Sequence, residues 1–141
     1  MNTVLYNIWQ RNKIRYFTIE EVTMGRLIPH DLLSNIEYTI AFLDKMRCHL
    51  GFPISITSSY RNEALNALIG GVKNSLHLMF NALDSVPSSG DREQLKAMQK
   101  YTSKWRTRQM GVGYYETFLH TDNRGFLNRY SPVTWGKVID G

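Results

Sequence analysis

A long amphipathic helix followed directly by a strand is the feature of this sequence that most restricts its fold. Within residues 29–50, apolar side chains recur every three or four positions, which is the spacing of one face of an α-helix. They are Leu33, Ile36, Ile40, Leu43 and Met46. Pro29 suits the first turn, and Gly51 followed by Pro53 ends the helix. The next segment, "PISITSSY", alternates isoleucine with small polar residues and predicts a strand.

Further helices are predicted from shorter segments of the chain. "NEALNALI" is typical of a short helix, which Gly70 and Gly71 end. A second long helix is predicted over residues 91–106, with Ser88 or Ser89 as its N-terminal cap. Its buried side is expected to carry Leu95, Met98 and Trp105.

The C-terminal third of the chain predicts strands. "MGVGYYETFLHTD" is rich in β-branched and aromatic residues and fits one or two strands, which could form a hairpin. The tail, "RGFLNRYSPVTWGKVIDG", is interpreted as loop and a short strand. Helices and strands alternate without the regularity of βαβ units. The sequence therefore predicts one domain over residues 1–141, with an α+β fold in which helices flank a small, mostly antiparallel sheet.

Cysteine content and charge limit what can stabilise the fold and what it can bind. The single cysteine, Cys48, excludes an internal disulfide, and its place in an apolar helical pattern predicts a small core residue. The formal net charge of +5 favours anionic partners such as nucleic acid, membrane surfaces or cell-wall polymers. The basic runs at residues 11–15 and 104–108 are short and separated. We interpret them as solvated faces and expect no nucleic-acid or membrane partner.

Targeting segments are not evident in the sequence. The N-terminus lacks a basic segment followed by an apolar stretch of about 7–15 residues, so no secretory signal is predicted. No apolar run approaches the roughly 20 residues that a transmembrane helix needs. We expect the protein to be made in the cytoplasm.

Two of the four histidines stand in a context that suits metal binding. His77 is followed by Asp84 after seven residues, and His120 by Asp122 after two. On a strand, Glu116 and Phe118 would share one face with His120 and Asp122, so two carboxylates would flank an imidazole. Zinc sites draw on histidine nitrogen and carboxylate oxygen, and catalytic ones use three protein ligands. On periodicity alone, this pattern is only a weak indication of a metal site.

The other two histidines have no such context. His30 and His49 lie at opposite ends of the first long helix and have no obvious partners. His49, near the C-terminus of that helix, is expected to make a favourable contact with the helix dipole.

Three motifs, in order and with matching spacing, resemble a known family. They are "SSYR" ending at Arg61, "GGVKNSLHLMFNALD", and "GVGYYETFLHTDNRG". They are similar to the motifs of the M15-type zinc peptidases, the D-alanyl-D-alanine carboxypeptidase and murein endopeptidase family. That family includes phage endolysins and shares its fold with the hedgehog signalling domain. The resemblance covers about residues 17–125, most of the chain.

The resemblance implies a set of site residues. His77, Asp84 and His120 match the three zinc ligands, and Arg61 matches a substrate-holding arginine. A planar guanidinium can hold a peptide carboxylate or carbonyl. Zinc would polarise the scissile carbonyl and lower the pKa of a bound water. Asp122 then has two possible roles: it is the general base, or it only orients His120. Glu116 is the other carboxylate considered for a chemical role.

Two positions depart from the family pattern. Phe80 stands where the family has a glycine, which normally indicates unusual backbone angles or the close approach of another segment. Thr117 stands where many members carry the acid that serves as general base. A branch of the family with the pattern F-x-H-x-D lacks that acid and still includes peptidases.

Several aromatic residues could either line a cleft for a peptide or pack in the core. They are Tyr60, Tyr114, Tyr115 and Trp135. The resemblance implies a zinc peptidase acting on peptidoglycan stem or cross-link peptides. The small size, with no predicted secretory signal and no wall-binding repeat, suggests delivery to the cell wall by a phage holin or a virion, and we expect a monomer. The alternative is a catalytically silent member that binds peptide or wall polymer. Nucleic-acid binding through the positive charge is a weaker third hypothesis.

Overall fold

Helices and strands alternate through residues 3–127 and 131–140, the part of the chain that the computed structural model describes. The helices are α1 (Thr3–Asn12), α2 (Ile19–Thr23), α3 (Glu37–Leu50), α4 (Glu63–Leu68) and α5 (Arg92–Trp105). The strands are β1 (Ile54–Ser58), β2 (Ala82–Pro87), β3 (Gly111–Tyr114), β4 (Leu119–Asp122) and β5 (Val133–Gly136). Short 3₁₀ helices span His30–Ile36, Leu76–Met79 and Arg124–Leu127.

All five strands form one sheet in the order β1-β2-β4-β3-β5. Three of the four neighbouring pairs are antiparallel, and only β3 and β5 run parallel. The predicted α+β fold with a mostly antiparallel sheet is therefore confirmed, as is the hairpin of β3 and β4. Among the described residues, no helix has both the length and the apolar character needed to cross a membrane.

The predicted long helix over residues 29–50 consists of two parts. The 3₁₀ helix at His30–Ile36 leads into α3, and the amide of Glu37 donates to the carbonyl of Ser34 where they join. The predicted apolar face of this helix is buried, and Gly51 ends α3 in the left-handed conformation. The helix therefore supplies one side of the core.

The sequence-based prediction of a buried Cys48 is wrong, because this side chain is exposed. A residue two positions after the buried Met46 lies about 200° further round the helix, which directs it away from the core. Its sulfur accepts a hydrogen bond from the Tyr16 hydroxyl at 3.6 Å.

Helix α5 also differs from its prediction at both ends. Its cap is Asp91, whose carboxylate accepts from the amide of Gln94 at 3.0 Å, whereas Ser89 accepts from the amide of Asp91. Leu95 and Met98 are buried as expected. The indole of Trp105, the last residue of the helix, is 54% exposed, so its predicted burial is wrong.

The two faces of the sheet have different roles. Leu83 on β2 and Leu119 on β4 are fully buried members of the hydrophobic core, on the side where α3 and α5 pack. Because side chains alternate along a strand, Asp84, His120 and Asp122 lie on the opposite face. The sheet thus separates a hydrophobic core from a cluster of polar side chains.

Candidate metal centre

The structure brings His77, Asp84 and His120 together in a buried cluster. Asp84 on β2 lies directly opposite His120 on β4 in the register of the two strands. His77 lies in the 3₁₀ helix that precedes β2. Nε2 of His77 is 3.3 Å from one carboxylate oxygen of Asp84, and Nδ1 of His120 is 2.9 Å from the other. One potential ligand atom from each residue lies within 4.8 Å of the other two.

Each imidazole is also held at the nitrogen that faces away from Asp84. Nδ1 of His77 is 2.8 Å from the carbonyl oxygen of Ser59, which can only accept, so this nitrogen carries the proton. Nε2 of His120 is 2.8 Å from a carboxylate oxygen of Asp122. The lone pairs of His77 Nε2 and His120 Nδ1 are thereby left for a metal. Two histidines and a carboxylate with such outer partners fit the donor set of a zinc site.

The pKa values in the cluster follow from burial and these hydrogen bonds. Burial acts to raise the pKa of Asp84, but the contacts of its carboxylate with His120 and His77 outweigh it and lower the pKa to about 2. Burial acts to lower the pKa of His120, yet its hydrogen bonds to Asp122 and Asp84 raise the pKa above its ordinary value. Without a metal, His120 is therefore stabilised as an imidazolium between two carboxylates.

Asp122 is fully buried and accepts hydrogen bonds from several donors besides His120. The amide of Gly111 donates to it at 3.2 Å. Arg124 donates from its backbone amide, from Nε and from Nη2, at 3.0, 3.0 and 2.8 Å. Asp122 is not among the residues that line the cavity above the cluster. Its carboxylate is saturated with donors, which favours the orienting role over that of general base.

Two glycines in β3 make room for this arrangement. A Cβ atom on Gly111 would lie 2.6 and 2.7 Å from the carboxylate oxygens of Asp122, and one on Gly113 would lie 2.6 Å from the indole of Trp135. Gly111 pairs with Asp122 and Gly113 with His120 across the β3–β4 register. The "GVG" of the third sequence motif is therefore required by close packing on the face of the sheet that carries the site.

A cavity of about 330 Å³ opens above the three candidate ligands. Its lining combines the cluster with two guanidinium groups, polar side chains and aromatic rings. The lining residues are Arg61, Val72, Asn74, Ser75, Leu76, His77, Asp84, Tyr115, Phe118, His120, Arg124 and Trp135. The site therefore lies at the floor of an open pocket, as a reactive centre requires.

Arg61 lines this pocket, so its guanidinium could contact a bound peptide, as its expected role as a substrate-holding arginine requires. Its Nε and Nη2 donate to the hydroxyl of Ser58, and its Nη1 donates to the side-chain oxygen of Asn66. Nη2 is 3.8 Å from Asp84. The backbone amide of Arg61 also donates to the carbonyl of His77, which fixes the segment after β1 against the His77 turn.

The structure places Glu116 outside the pocket. The strand begins at Leu119, and Glu116 lies in the turn between β3 and β4, so its predicted position on one strand face with His120 is wrong. Its exposed carboxylate is 3.3 Å from Nη2 of Arg92. Thr117 lies in the same exposed turn. The amide of Tyr115 donates to the carbonyl of Phe118 at 3.1 Å, which closes this turn, and the two rings stack with centroids 4.1 Å apart.

Phe80 fills the hydrophobic core instead of the cleft. Its ring is fully buried and lies edge-on to Tyr60, with centroids 6.4 Å apart. Its backbone has φ 53° and ψ 46°, the left-handed conformation that ends the His77 turn. The glycine of the family pattern thus corresponds to a true left-handed position, which phenylalanine here occupies at a steric cost.

The aromatic residues considered at the sequence level divide into two groups. Tyr115 and Trp135 line the cavity, and the indole nitrogen of Trp135 donates to the Tyr115 hydroxyl at 2.8 Å. Tyr60 is buried, and Tyr114 packs against the core. Neither His30 nor His49 belongs to the candidate metal cluster; the ring of His49 lies 5.3 Å from that of Tyr101.

Sequence reasoning missed Arg124 and the carbonyl of Ser59 as parts of the site. Arg124 holds Asp122 and lines the cavity, and Ser59 fixes the tautomer of His77. Arg124 follows Asp122 by two residues, in the "DNRG" of the third motif, and this motif is the signal that could have identified it. Nothing in the sequence indicates a backbone carbonyl as a partner of histidine.

Comparison with known protein families gives a match to this chain. A family model described as Peptidase M15 matches residues 15–122, most of the chain and all three candidate ligands. A search of curated proteins found no match.

Proposed function

Because this chain belongs to the peptidase M15 family, we propose that it is a zinc-dependent peptidase that hydrolyses peptidoglycan stem or cross-link peptides. The observation that carries this proposal is the buried group of His77, Asp84 and His120 at the floor of an open pocket. Each histidine in the group is oriented by a partner behind it. Such preorganisation is typical of a metal site and is unusual for three isolated polar residues.

Zinc would be held by Nε2 of His77, a carboxylate oxygen of Asp84 and Nδ1 of His120. When bound, it would supply a Lewis acid that polarises the scissile carbonyl and lowers the pKa of water. Asp122 would keep His120 in the tautomer and orientation that this requires, because it accepts the proton of Nε2.

Arg61 would bind the peptide beside the cluster. Its guanidinium is held by neutral oxygens of Ser58 and Asn66 and by one carboxylate, Asp84, at 3.8 Å. A cation in this setting can donate to a substrate carbonyl and to the oxyanion that develops during amide hydrolysis. The cavity of about 330 Å³ suits a short peptide segment, since ligand pockets span roughly 300–1,000 Å³. Tyr115 and Trp135 would form its aromatic wall.

The test is release of soluble peptides from purified peptidoglycan of several cross-link types. The zinc-loaded protein is expected to release them, and a chelator or His77→Ala is expected to abolish the release. His49→Ala is a matched control, because His49 is an exposed histidine outside the cluster. If the protein at full zinc occupancy releases nothing from any wall type, the hydrolase function is wrong.

One observation favours a second candidate function, that of a catalytically silent binding module. Within the described part of the chain, Asp84 is the only carboxylate that lines the cavity, so no separate general base faces it. A binding module would retain wall peptide and metal affinity without turnover. Co-sedimentation with peptidoglycan at full zinc occupancy, without peptide release, would identify this function.

A further inference from the structure

We propose, on the basis of the peptidase function proposed above, that Arg124 is a substrate-positioning residue that binds a free carboxylate of the peptide. Arg124 begins the 3₁₀ helix that follows β4, two residues beyond Asp122. Its side chain is 18% exposed and lines the cavity that contains the candidate ligands. It is therefore partly buried and accessible from the cavity.

The guanidinium of Arg124 is fixed on two sides. Nε and Nη2 donate to the two carboxylate oxygens of Asp122 at 3.0 and 2.8 Å. The guanidinium carbon lies 5.2 Å from the centre of the Trp135 ring, within the range of a cation–π contact. A guanidinium held in this way loses little side-chain entropy when it binds a ligand, because its orientation is already set.

One donor group of Arg124 remains for a ligand. Nη1 has no hydrogen-bond partner within residues 3–127 and 131–140, whereas the other two side-chain nitrogens are used by Asp122. Arg61 differs, because all three of its side-chain nitrogens already donate to Ser58 or Asn66. Each Nη group of Arg61 keeps one N–H, whereas Arg124 keeps its whole Nη1 amino group for a ligand.

The charged side chains that line the cavity favour an anionic ligand. Its described lining contains two arginines and a single carboxylate, Asp84, which the two histidines already engage. A peptide carboxylate entering the pocket would form a charge-assisted hydrogen bond with Nη1, which is stronger than the bond of a neutral amide. The substrate class favoured by this arrangement is a peptide whose free carboxylate lies near the scissile bond.

Arg61 and Arg124 also approach the ligand cluster from different sides. Arg61 is closest to the Asp84 oxygen that contacts His77, whereas Arg124 reaches the cluster through Asp122 and His120. A short peptide could therefore contact one arginine through its scissile carbonyl and the other through its carboxylate. Arg124 would then couple substrate binding to the residue that orients His120.

Binding measurements with a matched acid and amide test this role. The probes are Nα-acetyl-L-Lys-D-Ala-D-Ala and its C-terminal amide, titrated calorimetrically into metal-free and zinc-loaded protein. The wild-type protein is expected to bind the acid at least about tenfold more tightly than the amide. Arg124→Gln is expected to remove this preference in both metal states, and Arg124→Lys to retain part of it.

A purely structural role for Arg124 predicts a different pattern. If Arg124 only supports Asp122, Arg124→Gln would weaken binding of acid and amide by the same factor and would lower zinc occupancy. Arg108→Ala is the control, because it removes the same charge from an exposed arginine outside the cavity. Equal binding of acid and amide by wild-type protein, or an unchanged preference in Arg124→Gln, would overturn the proposal. Failure to hydrolyse wall peptides would instead reject the peptidase function, and the comparison of acid and amide binding would still test the role of Arg124.

Discussion

Nε2 of His120 lies 2.8 Å from a carboxylate oxygen of Asp122, while Nδ1 of the same ring lies 2.9 Å from Asp84. The imidazole is therefore fixed at both nitrogens by carboxylates on adjacent positions of the sheet. Only the Asp84 side belongs to the candidate metal cluster, and the Asp122 side is sealed from the cavity. This separation allows the two possible roles of Asp122 to be distinguished by experiment.

Asp122→Asn is expected to lower zinc affinity by about 10–100-fold, because an amide holds the Nε2 proton of His120 less strongly than a carboxylate does. Competition with a chromophoric chelator measures this affinity. Peptide hydrolysis at saturating zinc should fall only modestly. An unchanged zinc affinity combined with complete loss of hydrolysis would instead identify Asp122 as the general base.

The metal-free protein is expected to lose stability at both ends of the pH range. The pKa of His120 is raised, so the stabilisation from its charged form is complete below about pH 6.5 and is lost as pH rises through the folded-state pKa. The pKa of Asp84 is lowered to about 2, so its stabilisation is present above about pH 3.8 and is lost as pH falls towards 2. Urea unfolding between pH 2 and 9 measures the free energy of unfolding along the acid and the alkaline limb of this pH profile.

Two controls assign these limbs to the cluster. His120→Gln should flatten the alkaline limb, since glutamine does not titrate. Saturating zinc should remove it as well, because the metal takes the place of the proton on Nδ1 and its affinity increases with pH. Persistence of the full alkaline limb in His120→Gln would show that another group causes it.

Substitutions of Phe80 are expected to reverse the usual order of stability, in which an alanine variant is more stable than the glycine variant. Both should destabilise the protein by about 3–5 kcal/mol through loss of the buried ring. Phe80→Gly should nevertheless be about 1 kcal/mol more stable than Phe80→Ala, because glycine adopts φ 53° without steric cost. Urea unfolding of both variants provides the comparison.

Phe17 supplies the matched control, since it is also buried but its φ is not positive. There, the glycine variant should be no more stable than the alanine variant. If the difference in stability between the glycine and alanine variants were the same at positions 17 and 80, the left-handed backbone could not be its cause.

Replacement of the two glycines of β3 by alanine is expected to weaken zinc binding in one variant and peptide binding in the other. A Cβ at Gly111 meets Nε of Arg124 and both carboxylate oxygens of Asp122, so Gly111→Ala should disturb the pair that orients His120 and weaken zinc binding. A Cβ at Gly113 meets the indole of Trp135, so Gly113→Ala should displace the aromatic wall and weaken peptide binding by roughly tenfold or more. Chelator competition and peptide titration on both variants measure the two effects. Equal loss of both properties in each variant would contradict this division.

The sequence predicts the fold class and most elements because their signals are local. The apolar periodicity of residues 29–50 and the β-branched and aromatic residues of "MGVGYYETFLHTD" can each be recognised within a short stretch of sequence. The position of Glu116 could not be predicted in this way. A turn closed by the backbone hydrogen bond between Tyr115 and Phe118 precedes β4, and a turn at that place changes which residues share a face.

The candidate ligands were identified from motif resemblance, and the structure brings all three together. Their partners depend on tertiary contacts that sequence spacing does not encode. The carbonyl of Ser59 reaches His77 across the end of β1, and the guanidinium of Arg124 folds back onto Asp122 and beneath Trp135. The family glycine at position 80 indicates unusual backbone angles, but the sequence does not show how phenylalanine tolerates them, because burial of the ring in the assembled core offsets the cost.

The pairing of Asp84 with His120 across β2 and β4 has a consequence for the order of folding. The two residues are 36 positions apart, and the segment between them includes the whole of α5. No local stretch of the chain can therefore capture a metal ion with all three ligands. Because such a long loop must close before the strands align, zinc is expected to bind after the sheet has formed and to slow its unfolding, with little effect on the folding rate.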